Sequence, residues 1–219
     1  MEVRLLGATP DPIRVIYTAA RTCYSSRSPI EIMAEHPSKP KMVRLIKRLF
    51  AIGHHSVLEH VSFTFAIAGI SRSCSHQLVR HRLASYSQQS QRYVTQSTSY
   101  IIPPDLKRDR RFQTALLNLY ELYRDLLKRV EKEDARYLLP NAQATNLVMT
   151  MNLRELIHAS SLRLCYRAQW EIRALFQRIR KLVREFEPAL GAFLKPRCQH
   201  LGFCPEEEPC GRYRWVDRR

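Results

Sequence analysis

Between Arg80 and Tyr93 the chain reads RHRLASYSQQSQRY, a run with three arginines, a histidine, three glutamines and three serines and no acidic residue. Arginine presents a permanently charged planar fork of donors, while hydroxyls and amides add neutral hydrogen bonds suited to ring edges and sugar hydroxyls. The chemistry these types suit together is capture of a phosphorylated heterocycle. By composition alone, a basic helix end running into a polar surface loop accounts for the run equally well. The tail holds a second unusual pattern. Cys198, Cys204 and Cys210 are separated by five residues each, and with Cys165 or His200 as a fourth they are candidate metal ligands. Neither interval is C-x-x-C, so the spacing fixes no metal set and leaves free or redox-active thiols as the other reading.

The run RHR, seven residues, a serine, then x-R-Y resembles the signature of the flavin-dependent thymidylate synthases, the family distinct from the thymidylate synthases with a cysteine nucleophile. Upstream, GHHSVLEH is similar to that family's histidine-containing segment. Downstream, DARYLLP is similar to its A-R-x-x-L-P segment, and NLRELIHASSLRLCYRAQWEI to its N-x-R segment with an arginine eleven positions on. The four segments occur in the family's order and cover most of residues 1 to 195.

The resemblance implies FAD as cofactor, held by His54, Ser56, Arg80, His81, Arg82, Gln88, Asn152, Arg154 and His158. It implies a dUMP site made of Gln77, Arg80, Gln88, Gln89, Ser90, Gln91, Arg92, Arg136 and Arg163. Arg163 falls on the arginine that engages the pyrimidine. A guanidinium beside the ring's carbonyl and imide edge stabilises negative charge developing on the ring and makes the adjacent carbon nucleophilic. Many relatives have asparagine where this chain has Ser87, which puts that amide's hydrogen bond in doubt here. The implied reaction is reductive methylation of dUMP to dTMP, with methylenetetrahydrofolate as carbon donor and NADPH as reductant. Shared sites in the family imply a homotetramer in which Gln88 meets a neighbouring subunit's flavin. Ser90 has no His and Asp partners in sequence to activate it and reads as a binding residue rather than a nucleophile.

The elements that must position these residues follow from periodicity and caps. Val3 and Leu5 alternate with charged neighbours as a short strand, and Asp11 with Pro12 opens a helix to about Thr22,. Residues 23–40 read as a polar loop, followed by a helix over Met42 to about Gly53,. Ser56 and Glu59 form a capping-box pattern,. Val61, Phe63, Phe65 and Ile67 alternate with small residues as the clearest strand, broken at Gly69, and Ser71 caps the next helix,. A strand is expected around Tyr93 and Val94, an amphipathic helix from Phe112 to Val130, a helix starting at Asn152, and a last long helix from Trp170 that stops at Pro188,. Helical spacing from Asn152 sets Arg154, His158 and, less directly, Arg163 toward one face.

Strands few and short among long helices predict an α+β domain with a short, mostly antiparallel sheet. No G-x-G-x-x-G follows a strand, which argues against a Rossmann fold. The expected layout is one domain over residues 1–196 and a cysteine-rich tail over 197–219. Thirty-six Lys and Arg against 20 Asp and Glu give a net charge of +16, which favours anionic partners. The rival they allow is a basic nucleic-acid-binding protein with the tail as a metal clip. Against it, Tyr86 and Tyr93 are the only aromatics in the arginine-rich run, too few for a stacking platform. No run approaches the roughly 18 apolar residues of a membrane helix, and Arg4 with two prolines breaks any signal-peptide pattern at the start,. The expected location is the cytoplasm. Cys23 and Cys74 sit beside apolar helical positions and read as buried core thiols,.

Overall fold

Strands and helices interleave along the chain in the computed structural model, which describes residues 1–215. In order they are β1 (Glu2–Ala8), α1 (Pro12–Thr22), α2 (Pro29–Ala34), α3 (Lys39–Ala51), β2 (Ser62–Ser71), α4 (Arg72–Leu78), β3 (Ala84–Gln88), α5 (Arg110–Leu126), α6 (Lys132–Ala135), β4 (Ala144–Asn152), α7 (Leu153–Arg163), α8 (Trp170–Phe186), α9 (Pro188–Gly191) and α10 (Arg197–Leu201). The strands form one four-stranded antiparallel sheet in the order β1-β2-β4-β3. The α+β class with long helices is therefore what the chain adopts.

The chain divides into two units interleaved in sequence. The first comprises Met1–Glu2, Ala66–Arg80 and Tyr86–Val148; the second comprises Val3–Phe65, His81–Ser85 and the chain from Met149 onward. In the first, α5 buries Leu116 and Tyr123. The Tyr123 hydroxyl accepts from the Gln96 amide at 3.2 Å, and Gln143 Nε2 donates to the carbonyls of Ser97 and Ser99 at 3.2 Å each. Buried side chains thus supply the hydrogen bonds that a long stretch without strands needs. Ser71 caps α4, its Oγ accepting from the Cys74 amide at 2.9 Å.

In the second unit, α1 buries Ile13, Ile16, Tyr17 and Ala20, α3 buries Met42, Ile46 and Leu49, and α8 buries Ile172, Leu175, Phe176, Ile179 and Val183. Each set falls on one stripe at helical spacing, which is why these sequences are helices rather than strands. Asn152 ends β4 and starts α7, its Oδ1 accepting from the Glu155 amide at 2.9 Å. The tail from 197 to 215 belongs to this same unit.

Several expectations are corrected. Tyr93 and Val94 lie in a turn closed by the Val94 amide donating to the Ser90 carbonyl at 3.1 Å. The strand is β3 instead, ASYSQ, an edge strand whose small and polar residues show no alternating hydrophobicity. Residues 23–40 contain α2, opened by a reciprocal capping box between Ser28 and Glu31. Ser56 is not an N-cap: His55 occupies that position before a 3-10 turn over Ser56–His60, with no side-chain cap. Gly69 does not end β2, which accommodates its left-handed φ of 68° and runs on to Ser71. The apolar run TNLVMTM is strand β4. Cys74 is buried as expected, but Cys23 is exposed at the end of α1.

Candidate functional site

The second unit holds an open cleft of about 840 Å³. α7 supplies one wall through Asn152, Arg154, Glu155 and His158, and Phe50, His55 and Glu59 supply another. Arg197 and His200 of α10 also line it. Arg154 forms an ion pair with Glu59 that holds the guanidinium at the rim. His55 stacks on Phe50 with centroids 4.8 Å apart, and His200 lies 5.4 Å from the same ring. His200 Nε2 is buried with no hydrogen-bond partner among the described residues. Unpaired buried polar atoms are rare in native proteins.

Beside the cleft, α7 organises a chain of hydrogen bonds around His81, a buried histidine. Arg163 Nε donates to His81 Nε2 at 3.0 Å, and His81 Nδ1 lies 3.1 Å from Glu155 Oε1. A guanidinium can only donate, so Nε2 is the acceptor and the imidazole proton sits on Nδ1, directed at the Glu155 carboxylate. The ring is neutral for physical reasons: burial, the Arg163 charge and His158 together push its pKa down to about 4. Burial raises the Glu155 pKa, opposed by His158. His158 packs edge-on to His81 with centroids 6.2 Å apart. His81, Glu155 and His158 bring ligand atoms within 4.8 Å of one another, yet both His81 nitrogens are engaged, one of them by a guanidinium. We read the trio as a hydrogen-bonded network rather than a metal centre.

The first unit holds a second basic group. Arg92 pairs with Glu133 at 2.6 Å, and Arg136 Nε donates to the Glu133 carbonyl at 3.1 Å. Burial, together with the nearby Arg136 charge, lowers the pKa of Arg72. Three guanidiniums therefore share one neighbourhood, with the Glu133 carboxylate on Arg92 and the Glu133 backbone carbonyl on Arg136. Ser90 Oγ accepts from the Arg92 amide at 3.1 Å, and the Gln89 side chain accepts from Asn146 at 3.0 Å. Gln88 Nε2 donates to Ser75 Oγ and Thr145 Oγ1 at 3.0 and 3.1 Å, so both of its amide hydrogens are committed and its carbonyl oxygen is what it offers to a ligand.

The expected residues are thus sorted by unit. His54, Ser56, His81, Arg82, Asn152, Arg154, His158 and Arg163 fall in the second, and Gln77, Arg80, Gln88, Gln89, Ser90, Gln91, Arg92 and Arg136 in the first. Of the expected flavin set, Asn152, Arg154 and His158 line the cleft; there the second histidine of GHHS, His55, is the lining residue, while His54 and Ser56 are exposed nearby in sequence. Sequence reasoning missed Glu155, which it used up as a cap partner. It placed Phe50 only on the apolar stripe of a helix and His200 only as a possible metal ligand, and so put neither at the cleft that both line.

A family model described as thymidylate synthase complementing protein matches residues 4–189. The chain is 45% identical over 227 residues to the flavin-dependent thymidylate synthase of Geobacter sulfurreducens, covering 100% of this chain and 97% of the relative. It is 42% identical to that of Nitratidesulfovibrio vulgaris, covering 96% and 94% of the two chains. Among solved structures, a Helicobacter pylori flavin-dependent thymidylate synthase complexed with FAD and dUMP superposes with TM-score 0.73 at 25% identity, covering 89% of this chain and 100% of that one. The UMP/dUMP methylase PolB of Streptomyces cacaoi, bound with 5-Br dUMP, gives TM-score 0.77 at 22% identity over 88% and 93% of the two chains and shares the fold.

Proposed function

This chain belongs to the flavin-dependent thymidylate synthase family, and on that premise we propose that it converts dUMP to dTMP by reductive methylation, with methylenetetrahydrofolate as carbon donor and NADPH as reductant. The observation that carries the reading to these residues is the cleft: three positions expected to hold a flavin line one 840 Å³ space. That volume lies within the range of cofactor and ligand pockets, roughly 300–1,000 Å³. The donor set fits FAD. Arg154 and Arg197 answer a pyrophosphate, Phe50 and His55 offer ring faces, and the buried His200 Nε2 needs a partner. When bound, FAD supplies the hydride chemistry, and the protein's share is binding, orientation and charge.

Arg163 is the catalytic residue in this reading. Its Nε is tied to His81, which fixes the plane of the guanidinium that meets the pyrimidine's carbonyl and imide edge in this reading. Negative charge developing on that ring is met by donors already in place. His81 must stay neutral to accept from Arg163, and Glu155 holds the tautomer that allows it. Arg72, Arg92 and Arg136 form the natural seat for the nucleotide phosphate, with Ser90 beside them, and the phosphate would compete with Glu133 for Arg92. The enzyme acts as a homotetramer whose subunits share active sites, with Gln88 meeting a neighbour's flavin, and it works in the cytoplasm on reduced folate and NADPH pools. No observation favours the nucleic-acid reading.

The test is optical. Purified protein should be yellow, and its flavin absorbance should bleach anaerobically on adding NADPH. A colourless protein that also refuses added FAD defeats the proposal.

A further inference from the structure

Four of the six cysteines line one cavity in the second unit, next to the cleft and sharing Ser161 and Arg197 with it. Cys165, from the segment after α7, lines a small, partly open cavity of about 40 Å³ with Cys198, Cys204 and Cys210 of the tail. His200, the other fourth ligand the sequence allowed, lines the flavin cleft instead. We propose that Cys165, Cys198, Cys204 and Cys210 bind one zinc ion in tetrahedral four-thiolate coordination.

Backbone geometry explains how intervals of five residues bring these side chains together. Cys198 sits in α10, which ends at Gly202 with φ 78° and the Gly202 amide donating to the Cys198 carbonyl at 2.9 Å. The chain then reverses, so that Cys204 follows one short turn later and pairs with the end of the tail, its amide donating to the Arg214 carbonyl at 2.8 Å. Gly211, at φ 77°, turns the chain directly after Cys210. A residue with a Cβ is strained at either glycine.

Two contacts fold the tail onto Cys165 independently of the thiols. Arg167 forms an ion pair with Glu208 at 2.8 Å, and the Arg212 guanidinium lies 3.5 Å above the Tyr166 ring. Both anchors lie within two residues of Cys165.

The chemistry selects the ion. The described cysteines are all free thiols, and four soft sulfur ligands suit zinc, which would draw the four sulfurs lining the cavity in around it as a tetrahedron. The cavity is a few times the volume that holds one water, about 10–15 Å³, which suits a single ion. Zinc with four thiolates carries a net charge of −2, and Arg167 and Arg212 line the same cavity, alongside Glu206, and supply positive charge beside it,. Binding releases the thiol protons and forms four Zn–S bonds with no change of oxidation state.

Elemental analysis of the flavin-loaded full chain, purified without chelator, should find about one zinc per chain, falling below about a tenth in Cys198→Ser and Cys204→Ser. Should those variants fail to fold, cobalt exchanged into the native protein should give thiolate-to-cobalt charge-transfer bands and the intense visible envelope of a tetrahedral site. Native protein that neither contains zinc nor takes it up, or that holds iron with acid-labile sulfide, overturns the proposal. The assay does not depend on the flavin, so it stands or falls separately from the proposed activity.

Discussion

Arg163 and His81 form the pair on which the proposed chemistry turns, and each makes a separate prediction. Lysine at 163 keeps a charge but has no Nε–H to give His81 while still reaching the ring. Arg163→Lys should therefore lower kcat/KM for dUMP by about 100-fold, the scale of one lost transition-state donor, with FAD absorbance unchanged. A steady-state assay on the flavin-loaded variant measures it. His81 has a folded pKa of about 4 against 6.5, so the unfolded chain binds its proton more readily. Stability therefore falls as pH drops from 6.5 toward 4, by about 3 kcal/mol from this residue. The raised Glu155 carboxyl acts in the opposite sense, costing stability as pH rises through its own range. Urea unfolding at pH 7 and pH 4 should show the loss in the wild type and a much smaller one in His81→Gln. Arg163 is legible in the sequence through its segment. Glu155 is not, because the partner that gives it meaning lies 74 residues away and a local cap pattern explains its presence equally well.

Among the elements, α7 carries most of the site and its first turn can be tested by separating two roles of Asn152. Asn152→Ala removes the cap and should cost about 1 kcal/mol. Asn152→Ser keeps a capping oxygen and should hold the melting temperature while weakening FAD, because the amide is gone. Thermal melts beside flavin titrations distinguish the two, and equal FAD affinity in wild type and both variants argues against a flavin contact. Close packing of α9 makes a different demand. A Cβ on Gly191 would lie 2.5 Å from the Arg184 Cα, a contact with backbone that cannot rotate away. Gly191→Ala should destabilise by roughly 1–3 kcal/mol in chemical denaturation. Long helices were readable because α1, α3, α5 and α8 each bury one stripe. Strand β3 was hidden because an edge strand of serine, tyrosine and glutamine needs no apolar face, and α2 because its six residues are too few for periodicity to register.

For the molecule as a whole, the net charge of +16 matches a reaction whose substrates are anions. Raising salt from low ionic strength to about 0.5 M should reduce kcat/KM for dUMP by roughly tenfold, more through KM than kcat. Charge was legible from composition, but it could not choose between a nucleotide and a nucleic acid. That choice rests on where the arginines sit, with Arg154 and Arg163 on one helix of the second unit and Arg92 and Arg136 both held by Glu133 of the first, one through its carboxylate and the other through its backbone carbonyl. The measurement that bears most directly on the account is product formation. Incubated with FAD, NADPH, methylenetetrahydrofolate and dUMP, the purified chain should yield dTMP, identified by chromatography and mass, with none formed when the folate is omitted or Arg163 is alanine. Protein that binds and reduces FAD yet leaves dUMP unchanged with every substrate present would contradict it.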